Sequence, residues 1–110
     1  LPMQLPFAKA MELLLTGDLI TADEALALGF LNYVVPDPLA KAHEIAQKIA
    51  ANGPIAVRAI RRSARACLGL PEAEGLKLEV EISTPVFQTE DAKEGPRAFM
   101  EKRKPVYHGR

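Results

Sequence analysis

A mainly α-helical chain with one short extended segment near residues 30–35 is the fold class that the sequence predicts, on three observations. Apolar residues recur at helical spacing through most of the 110 residues. Prolines and glycines stand where helices begin and end. β-branched and aromatic residues cluster in one run only, Phe30 to Val35.

The stretch Phe7 to Leu15 (FAKAMELLL) consists of strong helix formers, and Pro6 suits the first helical position because its missing N–H would be unpaired there in any case. Thr16-Gly17-Asp18 stops that helix. Thr21-Ala22-Asp23-Glu24 is a capping box: the Thr21 hydroxyl can accept from the Glu24 amide while the Glu24 carboxylate reaches back. A short helix should follow and end at Gly29. Phe30 to Val35 (FLNYVV), closed by Pro36-Asp37-Pro38, reads as a β-segment that either pairs with residues outside this chain or remains an extended connection.

From Leu39 to Ala51 the apolar residues Leu39, Ala42, Ile45, Ala46, Ile49 and Ala50 share one helical stripe, and Asn52-Gly53 ends the helix. Pro54 opens another, with Val57, Ile60, Ala64, Cys67 and Leu68 as the expected buried stripe and Gly69 as the terminator. A longer run from Pro71 to about Gln88 is apolar on two sides, Leu76, Val80, Ser83 and Phe87 on one and Leu78, Ile82 and Val86 on the other. A helix apolar on two faces requires two partners, one of which can be another subunit. Pro85 should kink or end it. A last helix, roughly Glu90 to Arg103, is expected to be interrupted at Gly95-Pro96 and to run into a frayed tail after Lys104-Pro105.

Composition narrows the function. With 48% hydrophobic and 25% charged residues the chain is neither disordered nor a disulfide scaffold. Lys and Arg (14) balance Asp and Glu (14), so no global field drives the chain onto nucleic acid or an anionic membrane. No apolar run approaches the roughly 18–20 residues that cross a bilayer. The single cysteine, Cys67, and the lack of a secretory pattern at the start point to the cytoplasm or another reducing compartment. Leu1 in place of Met, leading directly into a helical pattern, reads as a chain cut from a longer one.

Few constellations carry chemistry. Ser63 or Cys67 becomes a nucleophile only with His43 or His108 folded against it, and the spacing argues instead for Cys67 as a small buried hydrophobe. The histidines have no metal-ligand spacing, so no metal site is expected, and no glycine-rich phosphate cradle is present. Glu72, Glu74, Glu79, Glu81, Glu90, Asp91 and Glu94 can supply an acid/base pair only if two converge in a pocket; as patterned they are solvated faces. Arg58, Arg61, Arg62 and Arg65 recur at i, i+3, i+4 and i+7, which gathers four guanidinium groups on one helix side. That stripe is either a site for phosphate or an acidic partner, or a wet face paired with nearby Glu side chains. In AFMEKRKP, Phe99 and Lys102 share a helical face, an arrangement able to stack on an adenine and hold a phosphate, or simply to cap a helix C-terminus.

The segments AMELLLTGDLITADEALALGFLNYVVP, IAANGPIAVRAIRRS and TEDAKEGPRAFMEKRKPVYHGR together resemble the C-terminal third of the crotonase superfamily, the enoyl-CoA hydratase/isomerase family. The resemblance covers essentially the whole chain. It implies the C-terminal helical, trimerisation region of a crotonase-like α/β fold, whose N-terminal spiral domain is absent here, assembling with itself as a homotrimer or hexamer. It further implies acyl-CoA substrates and an enolate held in an oxyanion hole of two backbone N–H groups, with glutamates moving protons. Those catalytic parts would precede Leu1, so no catalytic residue is expected in this chain, which alone should be inactive. No cofactor is implied, since coenzyme A is carried by the substrate. By position, Phe99 and Lys102 match the aromatic and lysine that reach CoA bound largely by a neighbouring subunit. The competing reading is a self-standing helical interaction module that binds an acidic or phosphorylated partner through Arg58, Arg61, Arg62 and Arg65.

Overall fold

The computed structural model describes residues 1–110 as six helices, with no β-strand. They are α1 (Phe7–Thr16), α2 (Ala22–Ala27), α3 (Pro38–Ala50), α4 (Pro54–Ala66), α5 (Glu72–Phe87) and α6 (Glu90–Met100). The chain forms two compact units, Leu1–His43 and Glu44–Arg110. No helix is long and apolar enough to cross a membrane.

In the first unit, Pro6 stands one step before its expected place. Its ψ of 131° is extended, so it is the cap of α1 rather than its first residue. Gly17 closes α1 at φ 73°, its amide donating to the Leu13 carbonyl. The capping box of α2 forms in full: the Glu24 amide donates to Thr21 Oγ1 (3.2 Å) and the Thr21 amide to Glu24 Oε2 (2.7 Å). The Thr21 amide, and next the Thr21 hydroxyl, which also donates to Oε2 (3.0 Å), hold the Glu24 carboxyl below its ordinary range. At the other end, Gly29 (φ 75°) donates to the Leu26 carbonyl and Phe30 to that of Ala25, the paired bonds of a Schellman motif.

Phe30 to Val35 is not a strand; of the two readings, the connection holds. The amides of Phe30 and Leu31 are spent on the Ala25 carbonyl, and no second strand exists to pair with the rest. Phe30, Tyr33 and Val34 are exposed, with the Lys41 ammonium 4.7 Å above the Tyr33 ring centre. Leu5, Ala10 and Ala25 are the unit's buried apolar residues.

In the second unit α4 and α5 pack side by side as a helical hairpin, and α6 packs against α5. The structure divides the two apolar sides of α5. Ile82 is buried and Leu78 and Val86 are half-buried, whereas Leu76, Val80 and Phe87 stand 55%, 61% and 74% exposed. The expected buried stripe of α4 is likewise only partly covered: Val57 and Cys67 are half-buried, but Ile60, Ala64 and Leu68 are exposed. One neighbouring helix covers only part of an amphipathic face.

Both helical prolines are accommodated. Pro85 lies in the last turn of α5, which ends two residues later. Contrary to expectation, Gly95-Pro96 does not interrupt α6; Thr89 caps the helix by accepting from the Ala92 amide (3.1 Å), and α6 runs unbroken to Met100. Only one intrahelical donor is lost, that of Pro96.

Candidate functional site

The expected frayed tail is instead tied to α6 by several hydrogen bonds. Asp91, in the first turn of α6, is 7% exposed. Its two carboxylate oxygens accept from the amides of His108 and Gly109, each at 2.7 Å, while its own amide donates to the Arg110 carbonyl. The Tyr107 ring lies close to two glycines: a Cβ on Gly53 would stand 3.6 Å from Tyr107 Cδ1, and one on Gly95 3.4 Å from its hydroxyl. Gly95 thus lies against the Tyr107 hydroxyl without breaking the helix.

One turn further along α6, Glu94 grips the chain beyond Met100. The Arg103 guanidinium donates to both its carboxylate oxygens, Nη2 to Oε2 at 2.9 Å, and the Val106 amide donates to Oε1 at 2.9 Å. With the Arg103 hydrogen bonds as the main cause and the Val106 amide next, the Glu94 carboxyl is held down at about 2. The same contacts, joined by Glu101, raise the Arg103 guanidinium above its already high range. Asp91 and Glu94 are thus exceptions to the expected solvated face. They escaped sequence reasoning because Asp91 is held by backbone amides, which carry no residue signature, and Glu94 by an arginine nine residues away and a backbone amide.

Between these grips stand the two expected ligand residues. Phe99 is 82% exposed, and Lys102 is also exposed. They do not share a helical face, because α6 ends at Met100 and Lys102 has turned into the left-handed region at φ 53°. Its amide donates to the Phe99 carbonyl and that of Arg103 to the Ala98 carbonyl, which closes a second Schellman motif. Phe99 and Lys102 are therefore adjacent through a helix-terminal turn, both open to solvent.

Arg58, Arg61, Arg62 and Arg65 line one exposed face of α4 beside Ala66, as the spacing requires. The expected pairing with nearby Glu side chains does not occur: none of the four takes part in an ion pair. Another side of α4 and the uncovered side of α5 enclose an apolar groove of about 620 Å³, lined by Ala59, Ile60, Ser63, Leu76 and Phe87 among others. Cys67 points its thiol at the Gly75 carbonyl (3.3 Å) with Ser63 Oγ 3.7 Å away, contacts that suit a half-buried packing residue.

The family model described as enoyl-CoA hydratase/isomerase matches residues 1–110. This chain belongs to the enoyl-CoA hydratase/isomerase family. Enoyl-CoA hydratase EchA19 of Mycobacterium tuberculosis is 51% identical over 109 residues, covering 97% of this chain and 41% of that protein. Carnitinyl-CoA dehydratase of Citrobacter koseri is 39% identical, covering 100% of this chain and 44% of its own length. The crystal structure of enoyl-CoA hydratase EchA1 from Mycobacterium marinum superimposes with a TM-score of 0.94 at 42% identity, again over 100% of this chain and 44% of that one. The enoyl-CoA hydratase/isomerase chain thus spans less than half the length of these relatives. Its helical architecture is that of a crotonase-fold enzyme, whereas a self-standing interaction module finds no support among them.

Proposed function

We propose that residues 1–110 are the C-terminal oligomerisation and CoA-contacting region of an enzyme acting on acyl-CoA thioesters, of the lyase type that adds or removes water. The observation that carries this reading is the match of the whole chain to less than half of each hydratase or dehydratase relative. The catalytic and oxyanion-hole groups then belong to an N-terminal spiral domain, and this region alone is inactive. It requires no cofactor, coenzyme A arriving with the substrate, and works in the cytoplasm or another reducing compartment.

Two features support the division of labour within this region. Leu76, Val80 and Phe87 offer an uncovered apolar face on α5, and fully burying a side chain of this size contributes about 1.5–3 kcal/mol. Its occupant in this reading is another copy of the chain, in a homotrimer or hexamer. In this reading Phe99 and Lys102, both open to solvent at the turn that ends α6, meet the nucleotide end of CoA held by a neighbouring subunit.

Light scattering coupled to size exclusion tests the assembly. The protein should elute as a trimer or a multiple of it, and the triple substitution of Leu76, Val80 and Phe87 by Ser should release monomers. A wild-type monomer at micromolar concentration would sink the proposal.

A further inference from the structure

The turn after α6 is the one place where a residue other than glycine occupies the left-handed region. Lys102 (φ 53°) closes there the same two hydrogen bonds that Gly29 (φ 75°) closes after α2. A residue with a Cβ is disfavoured in that conformation, so local preference does not place Lys102; its surroundings must over-determine it. The contacts on either side do so. Arg103, the next residue, is held by both oxygens of Glu94, and its Nε donates to Glu101, the residue before Lys102. Glu94 in turn is rooted in α6 and also accepts from the Val106 amide, so the chain is gripped ahead of and behind the turn. Lys102 itself makes no ion pair, and its ammonium is offered to solvent from a fixed backbone.

We propose that Glu94 and Arg103 are positioning residues, whose two-pronged ion pair locks the turn Glu101–Arg103 and so fixes the direction in which Lys102 meets the nucleotide end of a CoA thioester. The proposal rests on the reading above that Lys102 contacts CoA. A lysine carries a flexible stem, and anchoring its backbone removes part of the ordering cost that binding would otherwise meet. Because the contact is remote from the reacting carbonyl, it acts alike on ground and transition states and belongs in KM rather than kcat.

The test is steady-state kinetics of the enzyme at the full length of its relatives. The substrates are a short 2-enoyl-CoA and the corresponding pantetheine thioester, which lacks the nucleotide. Glu94→Gln and Arg103→Lys, the latter keeping the charge but not the fork, should each raise KM for the CoA thioester by roughly threefold to tenfold with kcat within about twofold. KM for the pantetheine thioester should not move. The double variant Glu94→Gln/Lys102→Ala should be no worse than Lys102→Ala alone, because both act through one contact. Multiplying effects in the double variant, or an equal KM rise on the pantetheine thioester, would overturn the positioning role. So would normal KM values in Glu94→Gln and Arg103→Lys beside a raised one in Lys102→Ala. If Lys102→Ala itself leaves KM unchanged, the CoA contact fails and the positioning role with it. Should Glu94→Gln not fold, Arg103→Lys and its double variant with Lys102→Ala carry the same comparison.

Discussion

Removing the Asp91 carboxylate should free the C-terminal tail. The side chain is 7% exposed and receives two amide hydrogen bonds of 2.7 Å, from His108 and Gly109. Hydrogen bonds to a charged group contribute about 1.5–3 kcal/mol each, so the pair is worth roughly 3–6 kcal/mol while the tail stays in place. Once the tail lifts, water takes over the two amides, and the net cost of Asp91→Ala falls to about 2–4 kcal/mol. Against a typical total of about 5–15 kcal/mol this is a large loss. Asp91→Asn keeps the volume and one acceptor but turns an NH₂ toward one of the donors, and should cost about half as much. Two measurements read the outcome: the urea midpoint, and hydrogen exchange at the His108 and Gly109 amides. In Asp91→Ala both amides should exchange as fast as in an unstructured segment, with the midpoint lowered. Unchanged protection of those amides in the alanine variant, or an asparagine variant as stable as the wild type, would refute the reasoning.

The remaining expectations are more local. Glu94 is held at about 2, below its ordinary 4.5, so its contribution to holding the tail is fully present above about pH 4.5 and is lost as pH falls through about 2. Protection of the Val106 amide, followed by exchange in acid, should fade over that window, and Glu94→Gln should lack the transition. Thr21→Ala removes one half of the α2 capping box and should destabilise the first unit by about 1 kcal/mol, measured by thermal unfolding; no shift would mean that the cap is redundant. Lys102→Ala in the full-length enzyme should raise KM for CoA thioesters with kcat little altered, and a fall in kcat at constant KM would contradict a nucleotide contact.

Much of the local architecture is legible in the sequence because its signals are short-range. Thr21 and Glu24 stand three apart and form the capping box; Gly17, Gly29 and Gly69 all take positive φ where helices were expected to stop. Pro54 opens α4 as its spacing requires. Long-range partners are another matter. The grip of Asp91 on His108 and Gly109 spans 17 and 18 residues and uses backbone donors, so the sequence presents only one more acidic residue in an acidic run. The left-handed Lys102 was equally hidden, since local preference favours glycine there and the Glu94–Arg103 pair that accompanies it is read only from the folded chain. That turn is also why Phe99 and Lys102 do not share the helical face expected of them: α6 ends between the two.

The places where sequence and structure part share one physical cause. Apolar periodicity records what a side chain is selected to be buried against, whichever chain supplies the partner, while the observed exposure records only what these 110 residues cover. Ile60, Leu76, Val80 and Phe87 lie on stripes that the pattern marks as apolar, yet all four are more than half exposed. Phe30 to Val35 carries strand chemistry without a strand beside it. The guanidinium stripe of α4 is the contrary case, a face patterned for charge and found solvated but unpaired. The uncovered apolar face of α5 and the arginine face of α4 can be tested independently. Assembly should follow the apolar substitutions and ignore Arg58, Arg61, Arg62 and Arg65 replaced by Gln.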